Sequence, residues 1–128
     1  MNRPHNPPGV HAPLSNYVHG VEAPAGAHWL YISGQVGMAP DGKIGKTFEE
    51  QAEIAWTNLA AVLNSAGMGM GDLVKVTTYL TRREDIKANR AARDRHMGGA
   101  RAASTMVLIG GLAAPELLIE VEAHAAKA

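Results

Sequence analysis

The 128-residue sequence contains no cysteine. That removes disulfides, thiolate zinc sites, iron–sulfur clusters and cysteine nucleophiles together, and it fits the reducing conditions of the cytoplasm. Aromatic residues are scarce: one Phe, three Tyr and two Trp leave little on which to stack successive bases. Net charge is zero, from 12 basic and 12 acidic side chains, so no global field steers the protein toward nucleic acid or an anionic membrane. No apolar run is long enough for a membrane span, and residues 1–8 lack the apolar core of a signal peptide. The expected setting is therefore cytoplasmic, with no membrane partner. What is present, 46% hydrophobic against 19% charged residues, lies on the globular side of the disorder boundary. A domain near this size buries roughly two-thirds of its unfolded surface, enough for a core without staples.

Four of the seven prolines (Pro4, Pro7, Pro8, Pro13) fall in the first thirteen residues. Locked φ angles and missing donors there predict an extended arm over residues 1–13, with one ordered domain over 14–128. Residues 17–21 and 29–33 read as strands separated by the turn formers Ala23-Pro24-Ala25-Gly26, which predicts a hairpin. Thr47 and Glu50 have capping-box spacing ahead of a helix. Its apolar stripe runs through Phe48, Ala52, Ala55, Leu59, Val62 and Ala66, with Gly67 placed to end it. Residues 72–80 have strand composition, and Thr81 with Glu84 repeats the capping-box spacing before a second helix that Gly98-Gly99 should close. Residues 104–109 read as a buried strand. Residues 117–125 alternate, with Leu117, Ile119, Val121 and Ala123 on one side and Leu118, Glu120, Glu122 and His124 on the other. The expected fold is α/β (α+β): a mixed sheet in which the helical crossovers make parallel neighbours, with two helices packed on one face.

Chemistry-bearing residues are few. Glu120, Glu122 and His124 share a strand face, but one strand supplies too few convergent ligands for a metal, and a single carboxylate working as a general base fits better. The other five histidines (His5, His11, His19, His28, His96) show no metal spacing, and no Gly-x-Ser-x-Gly elbow is present. The run 67–71, alternating Gly and Met, lacks the lysine of a phosphate loop and leads into a strand. Residues 82–95 carry six basic side chains, Arg82, Arg83, Lys87, Arg90, Arg93 and Arg95. That helix reads as a solvated face, with Arg93, Arg95 and His96 suiting the negative end of its dipole. Asn89, three residues after Ile86 and eight before Met97, falls near the buried stripe, where an amide needs either a structural partner or a ligand.

Several segments together resemble the RidA family, also called YjgF or L-PSP. They are Tyr31-Ile32-Ser33-Gly34-Gln35-Val36; Phe48-Glu49-Glu50-Gln51 with Asn58-Leu59; Asp72-Leu73-Val74-Lys75-Val76-Thr77; Asn89; Ser104-Thr105; and Ile119-Glu120-Val121-Glu122-Ala123. The likeness runs from about Leu14 to His124. It implies a chorismate-mutase-like fold, a homotrimer with ligand clefts between subunits, and cofactor-free, metal-free hydrolysis of reactive imino and enamino acids. By the same resemblance Glu120 orients the attacking water, while Gly34, Asn89 and Ser104 bind substrate. The family arginine before the serine is replaced by Ala103, a family tyrosine near the amino terminus by Leu14, and the stretch between Ser104 and Glu120 is about two residues longer.

The losses leave the activity open. Arg101, two residues before Ala103, either shares its strand face and recovers part of a carboxylate anchor, or meets solvent in the loop after Gly98-Gly99-Ala100. The leading expectation is a deaminase for a small carboxylated enamine or imine, an aminomuconate-type compound being one candidate. The competing reading is a non-catalytic binder of small carboxylates or of a protein partner, and RNA cleavage stands third.

Overall fold

A computed structural model describes residues Met1–Ala128. In chain order the elements are β1 (Arg3–His5), β2 (Gly20–Glu22), β3 (His28–Val36), α1 (Phe48–Ser65), β4 (Leu73–Leu80), α2 (Ile86–Met97), β5 (Ala103–Leu108) and β6 (Ile119–Lys127), with single 3₁₀ turns at Met70–Asp72 and Arg83–Asp85. The main sheet has the order β3-β6-β4-β5. β6 runs antiparallel to both β3 and β4, and β4 and β5 are parallel. The helical crossovers do give parallel strands, as the sequence implies, but β3 and β4 are not neighbours because β6 lies between them.

The hairpin expected between residues 17–21 and 29–33 does not form. β3 pairs instead with β6, from His28 opposite Lys127 to Val36 opposite Glu120. The alternation of β6 explains the preference, since its inward row, Ile119, Val121, Ala123 and Ala125, is buried and continues directly into Ile32 of β3. Residues 17–21 offer only Val18 as a buried apolar side chain, and it bridges to Ala103 on the far edge of the sheet. β2 therefore turns to the amino-terminal arm, with Arg3 opposite Glu22 and His5 opposite Gly20. Asn2 clips the arm to the sheet end, donating from Nδ2 to the carbonyls of Asp72 (3.2 Å) and Ala126 (3.1 Å).

α1 buries Phe48, Gln51, Ala52, Ala55, Trp56, Leu59 and Leu63, steps of three and four that keep one face toward the sheet. The stripe is rotated from the expected one: Leu63 is buried, whereas Val62 is half-buried and Ala66 exposed. Each fully buried Leu contributes about 2 kcal/mol. Half of the first capping box is present. Thr47 Oγ1 accepts from the Glu50 N–H at 3.1 Å, while Glu50 Oε2 reaches past Thr47 to the Lys46 N–H at 2.7 Å. Gly67, at φ 69°, ends the helix in the left-handed region as expected. The second box does not form. Arg82 grips Asp85 with Nε and Nη2 (2.8 and 2.9 Å), the intervening residues make a 3₁₀ turn, and α2 begins only at Ile86.

Both helices cover one face of the sheet, and α1 packs on β3, β6 and α2. The opposite face stays open and carries Trp29, Tyr31, Lys75, Tyr79, Glu120, Glu122 and His124. Trp29 is 49% and Tyr31 70% exposed, unusual for large aromatics on a sheet. β5, at the sheet edge, is less buried than its sequence implies, with Val107 and Leu108 exposed. No helix is long and apolar enough to cross a membrane.

Candidate functional site

Four of the five predicted site residues separate into two pairs on opposite faces of the sheet, and Arg101 lies apart from both. On the open face, β3 is irregular: its register shifts between Ile32, opposite Ala123, and Gln35, opposite Val121. Ser33 and Gly34 together stand against Glu122 alone, and the Gly34 backbone lies against Glu120. A Cβ added there would overlap Glu120 Oε2, so glycine is required for this approach of backbone to carboxylate. Glu120 sits opposite Tyr79 of β4 and Val36 of β3. Its neighbour two residues on, Glu122, takes the hydrogen bond of the Tyr79 hydroxyl. That acceptor, whose charge favours the protonated phenol, holds the Tyr79 pKa above its ordinary value. His124 packs edge-on against Tyr31, ring centroids 4.9 Å apart. Glu122 and His124 thus have structural partners, and Glu120 is the carboxylate of this face left free.

The second group faces the helices. Ser104 pairs with Val76, which is 1% exposed and points into the core. By the two-residue alternation Ser104 and Met106 share that side. Together with Leu14, Ser15, Tyr17, Asn89, Arg90 and Arg93 they line a hollow of ≈190 Å³ between β5 and α2. Asn89 is buried and its Oδ1 has no hydrogen-bond partner. Tyr17 brings a phenol to the place where position 14 supplies only Leu, and its Oη accepts the Leu14 N–H at 3.3 Å. Arg93 was expected on a solvated face, yet it is 8% exposed. The stripe that contains Asn89 already implied this, because Arg93 stands four residues after Asn89 and four before Met97.

Arg101 does not extend β5 onto the face of Ala103. The strand begins at Ala103, and the exposed Arg101 donates from Nε to Asn16 Oδ1 at 3.0 Å. It borders a different hollow, beside Asn2, Pro4, Asn6, Val18 and Val21. Val18 draws the preceding segment along this edge, donating its N–H to Ala102 O at 3.2 Å. Asn16 is thereby held where it captures the guanidinium.

An α+β domain with a mixed four-stranded sheet, two helices on one side, and polar groups on the open side of β6 and the helix side of β5 has clear counterparts among known proteins. The chain belongs to the family described as "Endoribonuclease L-PSP", which matches residues 9–127, the family of the RutC and Rid proteins. A RutC family protein of Pyrococcus horikoshii is 30% identical over 117 residues, 90% of each chain. One from Aquifex aeolicus is 38% identical over 81 residues, 62% of this chain and 60% of that one. A 2-iminobutanoate/2-iminopropanoate deaminase of Dermatophagoides farinae is 30% identical over 78 residues, 59% of each. Among solved structures, a Rid family protein from Yersinia pestis superposes with TM-score 0.85 at 30% identity over 97% of both chains. Escherichia coli TdcF with bound serine does so with TM-score 0.72 at 27% identity, over 94% of this chain and 93% of that one.

Proposed function

We propose that this protein hydrolyses the C=N bond of a small carboxylated imine or enamine, without a cofactor, in clefts between the subunits of a homotrimer. The observation that carries the reading is the free Glu120 carboxylate packed on the Gly34 backbone. Such a pair can hold a water and a C=N nitrogen side by side. Glu120 takes a proton from the water as its oxygen bonds to the imine carbon. Glu120 passes that proton to nitrogen to give a neutral carbinolamine, then carries the hydroxyl proton to the amino group as the C–N bond breaks, leaving a ketone and ammonia. Asn89 and Ser104 bind the rest of the substrate. They lie across the sheet from Glu120, so both halves of the site meet on one molecule only when two subunits adjoin. The exposed Trp29 and Tyr31 supply apolar surface for that contact. Kinship to an iminobutanoate deaminase supports the reaction class. An aminomuconate-type substrate is one acid of the right chemistry.

The absence of an arginine at Ala103, together with a structural neighbour that holds serine, favours a second reading, a carboxylate binder with no turnover. Ammonia release from 2-iminopropanoate, generated in place by an amino-acid oxidase, separates the two. Wild type should exceed the spontaneous rate, and Glu120→Gln should fall to that rate while still binding pyruvate. Binding without acceleration by wild type would leave the binder. Light scattering coupled to size exclusion tests the trimer; a monomer at micromolar concentration would remove the inter-subunit site.

A further inference from the structure

We propose that Arg93, on α2, is the carboxylate anchor of the hollow between α2 and β5. The inference rests on the proposed use of Asn89 and Ser104 as substrate contacts. Three features of the hollow carry it. Its lining includes two arginines, Arg90 and Arg93, and no carboxylate, with Asp94 pairing to Arg93 from outside the lining. The Arg93 side chain is 10% exposed, and burying a guanidinium to this degree is costly unless its donors are used. They are only partly used. Nε donates to Asp94 Oδ1 at 3.0 Å, whereas Nη2, also 3.0 Å from that oxygen, lacks a hydrogen-bonding angle and is left buried without a partner. Finally, one helical turn away, Asn89 Oδ1 is also buried without a partner. A donor and an acceptor left without partners four residues apart on α2 define what would satisfy both: an oxyanion for Arg93 and an N–H for Asn89. An amino or imino acid has the two on adjacent carbons.

A guanidinium projecting from α2 enters the same hollow as Ser104 from the opposite wall. It keeps the planar fork that suits a carboxylate.

The test reads binding, so its outcome is independent of turnover. L-Serine and pyruvate are the probes, and L-serine methyl ester, which lacks the carboxylate, is the control. They are titrated calorimetrically into the full-length wild type, Arg93→Met and Arg93→Lys. Loss of a charge-assisted contact should weaken serine and pyruvate in Arg93→Met by roughly ten- to a hundredfold. The ester should be unaffected, and Arg93→Lys should recover part of the loss. Equal affinity for serine in wild type and a folded Arg93→Met overturns the anchor, as does failure of wild type to bind either acid. If Arg93→Met does not fold, the Arg93 Nε–H and Nη–H resonances of wild type give the answer. They should shift on adding pyruvate and not on adding the ester; no shift overturns the proposal. Turnover by wild type with an unmoved Arg93 would sink the anchor and spare the deaminase. Arg93-dependent binding with no imine hydrolysis would do the reverse.

Discussion

The two faces of the main sheet are made by the same strands, yet they are built to different ends. On the helix side, Ile119, Val121, Ala123 and Val76 meet Trp56, Leu59 and Leu63 in a closed core. The open side presents Trp29, Tyr31, Tyr79, Glu120 and Glu122. Strand alternation allows one sequence to do both, because each second residue is released from packing. The difference lies in what a substitution meets: on one side well-packed neighbours that cannot relax, on the other side chains with room to move.

The largest effect separating the faces is expected for Leu59→Ala. Leu59 is fully buried, and such truncations cost about 2–5 kcal/mol through lost transfer energy and the cavity left behind. Tyr79→Phe, which removes a hydrogen bond on the open face, should cost about 1 kcal/mol or less. Urea melts of the two variants make the measurement, and similar losses would mean the open face is as tightly packed as the core.

A sharper pair of intermediate size comes from two glycines in the same chain segment. A Cβ at Gly37 would overlap the Gln51 side-chain stem and come within 2.6 Å of its backbone Cα. Gln51 cannot yield, since its Nε2 donates to Gly45 O and Glu116 O and its Oε1 accepts the Leu118 N–H. Gly37→Ala should therefore lose about 1–3 kcal/mol. A Cβ at Gly34 meets the end of Glu120 instead, which can swing away. Gly34→Ala should keep stability within about 1 kcal/mol of wild type and lose imine hydrolysis, because the carboxylate is displaced. Equal stability losses at the two glycines would show Glu120 locked in place.

Local rules were legible in the sequence. The α1 stripe, the left-handed Gly67 and the alternating faces of β6 each depend on a few adjacent residues. Pairing was less so. β6 outcompeted residues 17–21 for β3 because its long apolar row sits on α1, a fact of three-dimensional arrangement. Of the site, resemblance names Gly34, Asn89, Ser104 and Glu120, and the structure sets Gly34 against Glu120 and puts Asn89 and Ser104 on one hollow. That the pairs face opposite ways follows from register, which the residues alone do not reveal. Arg93 was readable from helical spacing and was overlooked because charge suggested solvent. For Arg101 the residues leave strand face and solvent-facing loop open, since nothing local announces its capture by Asn16.

The smallest expected effect lies outside both faces, where the amino-terminal arm joins β2. Glu22 Oε2 accepts from Arg3 Nη2 at 2.7 Å and lies 2.8 Å from His5 Nε2. The Arg3 hydrogen bond first, then that of His5, hold the Glu22 pKa below its ordinary 4.5. A carboxylate depressed in the folded state stabilises that state fully above its unfolded pKa. The contribution disappears as pH falls through the folded value. The arm should accordingly loosen at acid pH, below the usual carboxylate range. Because the pair is exposed and salt-screened, global melting should hardly change. Amide exchange at Arg3, His5 and residues 20–22, compared with Glu22→Gln at each pH, isolates the effect. Wild type should be better protected at neutral pH and converge on the variant in acid, with the gap narrowed by high salt. Equal protection at neutral pH would show that backbone pairing and the Asn2 clip hold the arm without Glu22.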